Sequence, residues 1–174
     1  MIIKSGKFRK WLPVLLICLL TGCGYHLAGT GGKMRKHLRT ISVPVFDNSS
    51  SEPLSQRDLT DAIRQAFLTD GRLKLVHPKK ADLLLTGTIT SFGTRSVAFS
   101  KDDVVTESII TLGVKILVKD QVKKKVYMED DLKTTWDYRS DSLIINSEAA
   151  RQEALREAYR DLALRLVSLV IDKF

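Results

Sequence analysis

Between Leu83 and Tyr138 three consecutive segments alternate apolar and polar residues with a period of two, and that pattern constrains the fold of this chain more than any other. Leu83 to Phe99 sets Leu83, Leu85 and Ile89 against Leu84, Thr86, Thr88 and Thr90. Val104 to Val118 sets Ile110, Leu112, Val114, Ile116 and Val118 inward, with Lys115 and Lys119 outward. Val126 to Tyr138 sets Val126, Met128, Leu132, Trp136 and Tyr138 inward and Glu129, Asp131, Lys133 and Asp137 outward. A helix cannot hold such a series on one face, whereas a strand must. One buried and one solvated face describe an antiparallel meander, turning near residues 101–103 and 120–123.

The flanking segments supply its cover. Arg39 to Phe46, RTISVPVF, alternates Ile41, Val43 and Val45 and reads as a short first strand. Pro44 has no amide donor, which places this strand at an edge or breaks its ladder there. Ser55 can then cap a helix with Asp58 in the reciprocal position and Leu54 and Leu59 as a hydrophobic staple. Leu59, Ile63, Ala66 and Phe67 share one face, and Asp70-Gly71 ends the helix. Residues 72–76 form a further short strand, and the strand–helix–strand unit is right-handed if its strands are parallel in one sheet. Asn146 to Lys173 reads as a helix of about 25 residues, some ~38 Å long. Asn146 or Ser147 would cap it, and Leu155, Ala158, Tyr159, Leu162, Leu166, Leu169 and Val170 would form its buried stripe. The expected fold is α+β, a two-layer sandwich of two α-helices packed on one face of a mainly antiparallel β-sheet, occupying residues 39–174 as one domain.

Residues 1–22 read as an export signal: Lys4, Lys7, Arg9 and Lys10 precede an apolar run from Trp11 to Leu20 and the small pair Thr21-Gly22. Ten apolar residues rise only ~15 Å as a helix, half the hydrocarbon core of a bilayer. Removing this segment takes four cations and no anion, so the formal charge falls from +8 to +4, and the argument for nucleic acid as a partner weakens with it. Of the two cysteines, Cys18 lies in the discarded run and Cys23 would become the first residue of the mature chain. No internal disulfide is then possible. Leu20-Thr21-Gly22-Cys23 resembles the bacterial lipobox, in which the cysteine sulfur receives diacylglycerol and the new amine is acylated. Gly24, in place of aspartate, is the residue that the enteric sorting rule associates with the outer membrane. Residues 23–38 then form a lipidated terminus and flexible linker, with three cations between residues 28 and 36 free either to lie near headgroups or simply to be solvated.

The rest of the chain offers no enzyme constellation. His26, His37 and His77 are isolated, no HExxH, phosphate loop or nucleophile elbow is present, and neither metal nor cofactor is expected beyond the lipid on Cys23. A binding or assembly role remains. One candidate surface is the tip of the first long hairpin, where Phe92, Arg95, Val97, Phe99 and Lys101 interleave aromatics with cations, as suits an amphiphile with acyl chains and phosphates. A hairpin end with ordinary solvated cations is the plainer alternative. A second is the outward threonine-rich face of residues 83–94, where Gly87 and Gly93 would allow a partner to pack closely.

Taken in order, Cys23-Gly24-Tyr25-His26-Leu27, the first strand Ile41-Ser-Val-Pro-Val-Phe-Asp-Asn48, the helix from Ser55, Ala81-Asp82-Leu-Leu-Leu-Thr-Gly-Thr88 and the C-terminal helix resemble the lipopolysaccharide-assembly lipoprotein family, LptE. The resemblance covers nearly all of the mature chain. It implies a non-enzymatic outer-membrane lipoprotein that sits in the lumen of a large β-barrel, LptD, as plug and chaperone while lipopolysaccharide is inserted, and that binds lipopolysaccharide through basic residues. Only Cys23 carries over residue by residue; Arg95, Lys101, Phe92 and Phe99 come from the hairpin argument. An adaptor of similar fold in another envelope complex, or a periplasmic-face amphiphile carrier, is the competing class.

Overall fold

The computed structural model describes residues 37–53, 55–139 and 144–172, with side chains in the last stretch from Ser147 onward. The chain divides into a unit of residues 1–31 and a unit of residues 32–174. The first lies outside the described residues, as do Cys23, the signal segment, the linker to residue 36 and the staple position Leu54; all that follows concerns the second.

The elements run β1 Thr40–Ser42, β2 Asp47–Asn48, α1 Ser55–Asp70, β3 Lys74–Leu75, a 3-10 turn at Pro78–Lys80, β4 Leu83–Phe99, β5 Val105–Asp120, β6 Lys125–Arg139 and α2 Ile144–Asp172. Six strands form one sheet in the order β3-β1-β4-β5-β6, with β2 also pairing β4. β4, β5 and β6 are antiparallel neighbours, and β1 runs parallel to both β3 and β4. This is the expected α+β sandwich with a mainly antiparallel sheet.

One core joins both layers. Leu83, Leu85 and Ile89 of β4 and Ile110, Leu112, Val114, Ile116 and Val118 of β5 are buried as their alternation requires, against Leu59, Ile63 and Phe67 of α1 and Leu155, Leu162, Leu166 and Val170 of α2. Each fully buried side chain of this kind contributes about 1.5–3 kcal/mol. Among the described residues this core runs from Leu38 to Ile171 and joins both helices to the sheet, a continuous hydrophobic interior within the unit.

The departures from expectation have local causes. The first strand does break at Pro44, and β1 lies inside the sheet between β3 and β4 rather than at an edge. Past the break the alternation slips by one: Val45 is 52% exposed and Phe46 takes its place in the core at 3%. Phe46 can approach because β4 has Gly87 on the same face, where an added Cβ would fall within 2.6 Å of ring carbons Cδ2 and Cζ. Gly87 is thus a buried seat for Phe46 and not part of an outward docking face. The β5–β6 register shifts between Val118 and Lys119, which turns Val126 out to 61% exposure, against its expected inward place. Helix α2 begins at Ile144, so Asn146 and Ser147 lie in its first turn and neither is its cap. Its buried stripe is wider than expected, taking in Ala154, Ala163, Val167 and Ile171, while Leu169 is 38% exposed. Helix α1 ends as expected at Gly71, whose φ of 73° suits a residue without Cβ and whose N–H reaches the Phe67 carbonyl at 3.1 Å.

Candidate functional site

The first candidate surface lies where β4 and β5 outrun the core. Beyond Ile89 the buried alternation of β4 stops, and residues 93–97 and 99 are exposed although all of them but Val97 remain paired with β5. Register shifts at Thr90, Val97 and Thr106 interrupt the ladder in this part; such bulges bend and twist a hairpin away from a flat sheet. The tip closes through Ser100, whose N–H donates to the Val104 carbonyl at 2.8 Å and whose hydroxyl accepts from the N–H groups of Asp102 and Val104, both at 3.2 Å. Asp103 supplies the left-handed residue of the turn, with φ 57°.

The predicted site residues divide between two faces and the tip. Phe92 stands opposite Leu112 and packs half-buried against the core. Arg95 stands opposite Ile109 on the other face, since directly opposed residues share a side. Phe99 is 58% exposed near the tip, with Val97 and Val104 also open to solvent, and Lys101 is exposed in the turn itself. Neither Arg95 nor Lys101 joins an ion pair among the described residues. Phe99, Lys101, Val97 and Val104 therefore gather at one end, Arg95 stands part-way down, and Phe92 is set back toward the core. An exposed apolar group rimmed by cations can meet an acyl chain and a phosphate at once.

The second surface is the sheet face turned away from the helices. Thr86 and Thr88 of β4 are half-buried there, and the Thr86 hydroxyl donates to the Leu117 carbonyl at 3.2 Å. Lys115 and Glu129 form an ion pair at 2.9 Å, and hydrogen bonding to Glu129 followed by the charges of Glu129 and Asp131 raises the lysine above its ordinary range. Gly93 is open, with no atom within 4 Å of an added Cβ. This face carries threonines and the Lys115–Glu129 ion pair, a polar surface rather than an apolar one.

Sequence reasoning did not bring out a third region, at the opposite end of β4 from the tip. Asp82, just before β4, accepts hydrogen bonds from the Arg39 N–H at 2.8 Å, the Thr40 N–H at 2.9 Å and the Thr40 hydroxyl at 2.8 Å. Burial alone would raise its carboxyl, but the bonds from Arg39 and Thr40, aided by His37, hold it below the ordinary range. Asp120 at the end of β5 is 3% exposed and shows the same balance: burial pushing up, then the Lys123 N–H at 2.8 Å and the His37 ring pulling down. The two carboxylates fasten the start of the described chain to the ends of β4 and β5. The signal was in the sequence as two isolated aspartates at strand ends, but Arg39, Thr40 and His37, which join them to the start of the described chain, lie about forty or more positions away.

Among the described residues no group of three or more His, Cys, Asp and Glu is placed to hold a metal ion, and no helix is long and apolar enough to cross a membrane.

A sheet of this order covered by two helices is the fold of several bacterial lipoproteins. The rare lipoprotein B of Shewanella oneidensis superimposes with a TM-score of 0.54 at 17% identity, over 73% of this chain and 93% of that one. Lipoprotein B of Nitrosomonas europaea gives 0.51 at 16% identity, over 81% and 90%. PelC of Paraburkholderia phytofirmans, solved as a dodecamer, gives 0.51 at 12% identity, over 82% and 95%. No curated protein matches this chain in sequence. The family model for LptE, lipopolysaccharide-assembly, matches residues 38–170. The chain belongs to the LptE family, as the ordered motifs had implied.

Proposed function

We propose that this chain is a non-enzymatic lipoprotein of the outer membrane, tethered through lipid on Cys23, that works with a large LptD-like β-barrel as plug and chaperone in lipopolysaccharide assembly and binds lipopolysaccharide itself. The family match over residues 38–170 carries this reading, because it spans almost the entire described fold rather than a single motif. The physical features agree with it. A compact unit with a polar outer sheet face can fill a hydrophilic barrel lumen, and an acylated terminus keeps it at the membrane. The hairpin tip offers Phe99 and Lys101 together, with Arg95 and Phe92 further along β4, as contacts for acyl chains and phosphates.

The decisive experiment is isolation of the affinity-tagged full-length chain from detergent-solubilised outer membrane. A stoichiometric β-barrel partner is expected, and a chain that comes alone refutes the plug. The PelC likeness supports shared fold only, yet it defines the competing outcome: a homomeric ring or another envelope assembly would appear in the native mass of the same preparation. For the ligand contacts, Arg95→Glu with Lys101→Glu should weaken capture of purified lipopolysaccharide at least about tenfold, as loss of two charge-assisted contacts implies; unchanged capture removes both residues from the site.

A further inference from the structure

We propose that the tether end of the sheet is a second membrane contact, a lysine-rich surface that lies on anionic phospholipid headgroups and supplements the lipid on Cys23, whose attachment is the reading given above. The surface exists only in the folded chain. Gln121 in the β5–β6 turn donates its N–H to the Asp82 carbonyl at 2.8 Å and its Nε2 to the Pro78 carbonyl at 3.0 Å. These two bonds dock the turn on the 3-10 turn and set Lys79 and Lys80 beside Lys119, Lys123, Lys124 and Lys125. All six are exposed, and none forms an ion pair among the described residues. The two carboxylates of this end, Asp82 and Asp120, are turned to the N–H groups and His37 as described, so the outward charge is cationic.

Apolar side chains sit among those lysines. Val122 is 56% and Val126 61% exposed. A shallow groove of about 490 Å³ is lined by Leu84 and Val126 together with Lys119, Lys124 and Lys125, with Gln121 and the Asp120 carboxylate also on its wall, so that three cations face one anion there. A surface with cations at phosphate level and short aliphatic side chains beside them suits the headgroup boundary of a bilayer.

The course of the chain selects this occupant over others. His37, the first described residue, lies against Asp120 at 3.4 Å, so the linker joins the molecule at this end. The 14 steps from position 23 to position 37 span at most ~50 Å at about 3.5 Å each. An acyl anchor on Cys23 therefore keeps the lysines within reach of the headgroups, while the 17 residues of β4 carry the hairpin tip some ~55 Å in the other direction. The acyl chains on Cys23 would hold the terminus durably by themselves, and the basic patch would fix which face the tethered unit turns to the headgroups.

The test isolates the patch from the anchor. A chain beginning at Gly24, which contains the whole core, is floated with phosphatidylcholine vesicles with and without phosphatidylglycerol across a salt series. Binding is expected only to the anionic vesicles and should disappear by about 0.5 M salt as screening shortens. Each lysine near the surface should be worth about fivefold in partitioning. K79Q/K80Q should thus give a partial loss and K79Q/K80Q/K123Q/K124Q/K125Q a nearly complete one, while R156Q/R160Q, at exposed positions of α2, changes nothing. Equal binding to neutral vesicles, full binding by the five-lysine variant, or binding to lipopolysaccharide aggregates but not to phosphatidylglycerol overturns the proposal. The mass of the N-terminal peptide of the full-length chain reports separately whether Cys23 carries lipid, so failure of the anchor and failure of the patch are distinguishable.

Discussion

Gly87→Ala tests the reading of the core most sharply, because a single methyl is placed where a ring already stands. Gly87 is not among the residues of positive φ, so the backbone does not need glycine there; space alone excludes a side chain. The added Cβ would lie 2.6 Å from two carbons of the Phe46 ring, roughly 1 Å inside ordinary carbon–carbon contact. Phe46 is 3% exposed and has no open direction in which to retreat without leaving the core. Overpacking of this kind costs about 1–3 kcal/mol, offset by about 0.4–1 kcal/mol from the stiffer unfolded chain. The net expectation is a loss of about 1–2 kcal/mol, or roughly 2–8 °C in Tm for a domain of this size. Phe46→Ala alone should cost about 3–5 kcal/mol through the cavity it leaves. In the double variant the methyl introduced at position 87 no longer meets a ring, so urea unfolding of the chain beginning at Gly24 should show a pair cheaper than the sum of its parts by about 1–3 kcal/mol. A Gly87→Ala chain as stable as the parent, or strictly additive losses, would refute the close approach.

Two further outcomes follow from the polar contacts. Asp82 and Asp120 titrate below their ordinary range when folded, so their contribution is present above the unfolded carboxylate pKa of about 3.9 and is lost as pH falls through the lower folded values. Acid unfolding below about pH 4 should therefore be flatter in Asp82→Asn than in the parent, and an unchanged slope would show that the Arg39 and Thr40 bonds do not favour the charged form. The Thr134 hydroxyl, in a residue 6% exposed, donates to Asp161 of α2 at 3.0 Å, and Thr134→Val should lower stability by about 1 kcal/mol in denaturant titration.

The layers of the fold were legible because alternation and helical periodicity report local exposure directly. Ile110 through Val118 kept an unbroken period of two, and every residue assigned inward is buried. The reading failed where a single residue shifts the phase. Pro44 moved the inward position from Val45 to Phe46, and the bulge at Tyr127 turned Val126 outward; neither shift is visible in a residue's own chemistry, since it depends on which partner strand lies opposite. Leu169 was misassigned for a related reason: a helix with leucines all round carries no mark of which edge of its stripe is covered. At the candidate hairpin the residue types were readable, but the strand register decides that Phe92 faces the core while Arg95 faces away. The lysine cluster was readable only as separate pairs and runs, because Gln121 joins two segments distant in sequence.

The three bonds that Asp82 accepts also set how the molecule responds to mechanical force. A pull between the linker and the hairpin tip would enter at Arg39 and Thr40, pass through the Asp82 carboxylate, and continue along the covalent backbone of β4, leaving the two helices out of its path. β1 and β4 run parallel and are drawn in opposite directions by such a pull, so their hydrogen bonds would be stressed together in shear and not opened one by one. Asp82 acts in that geometry as a cleat: it fastens the incoming line to the longest strand of the sheet.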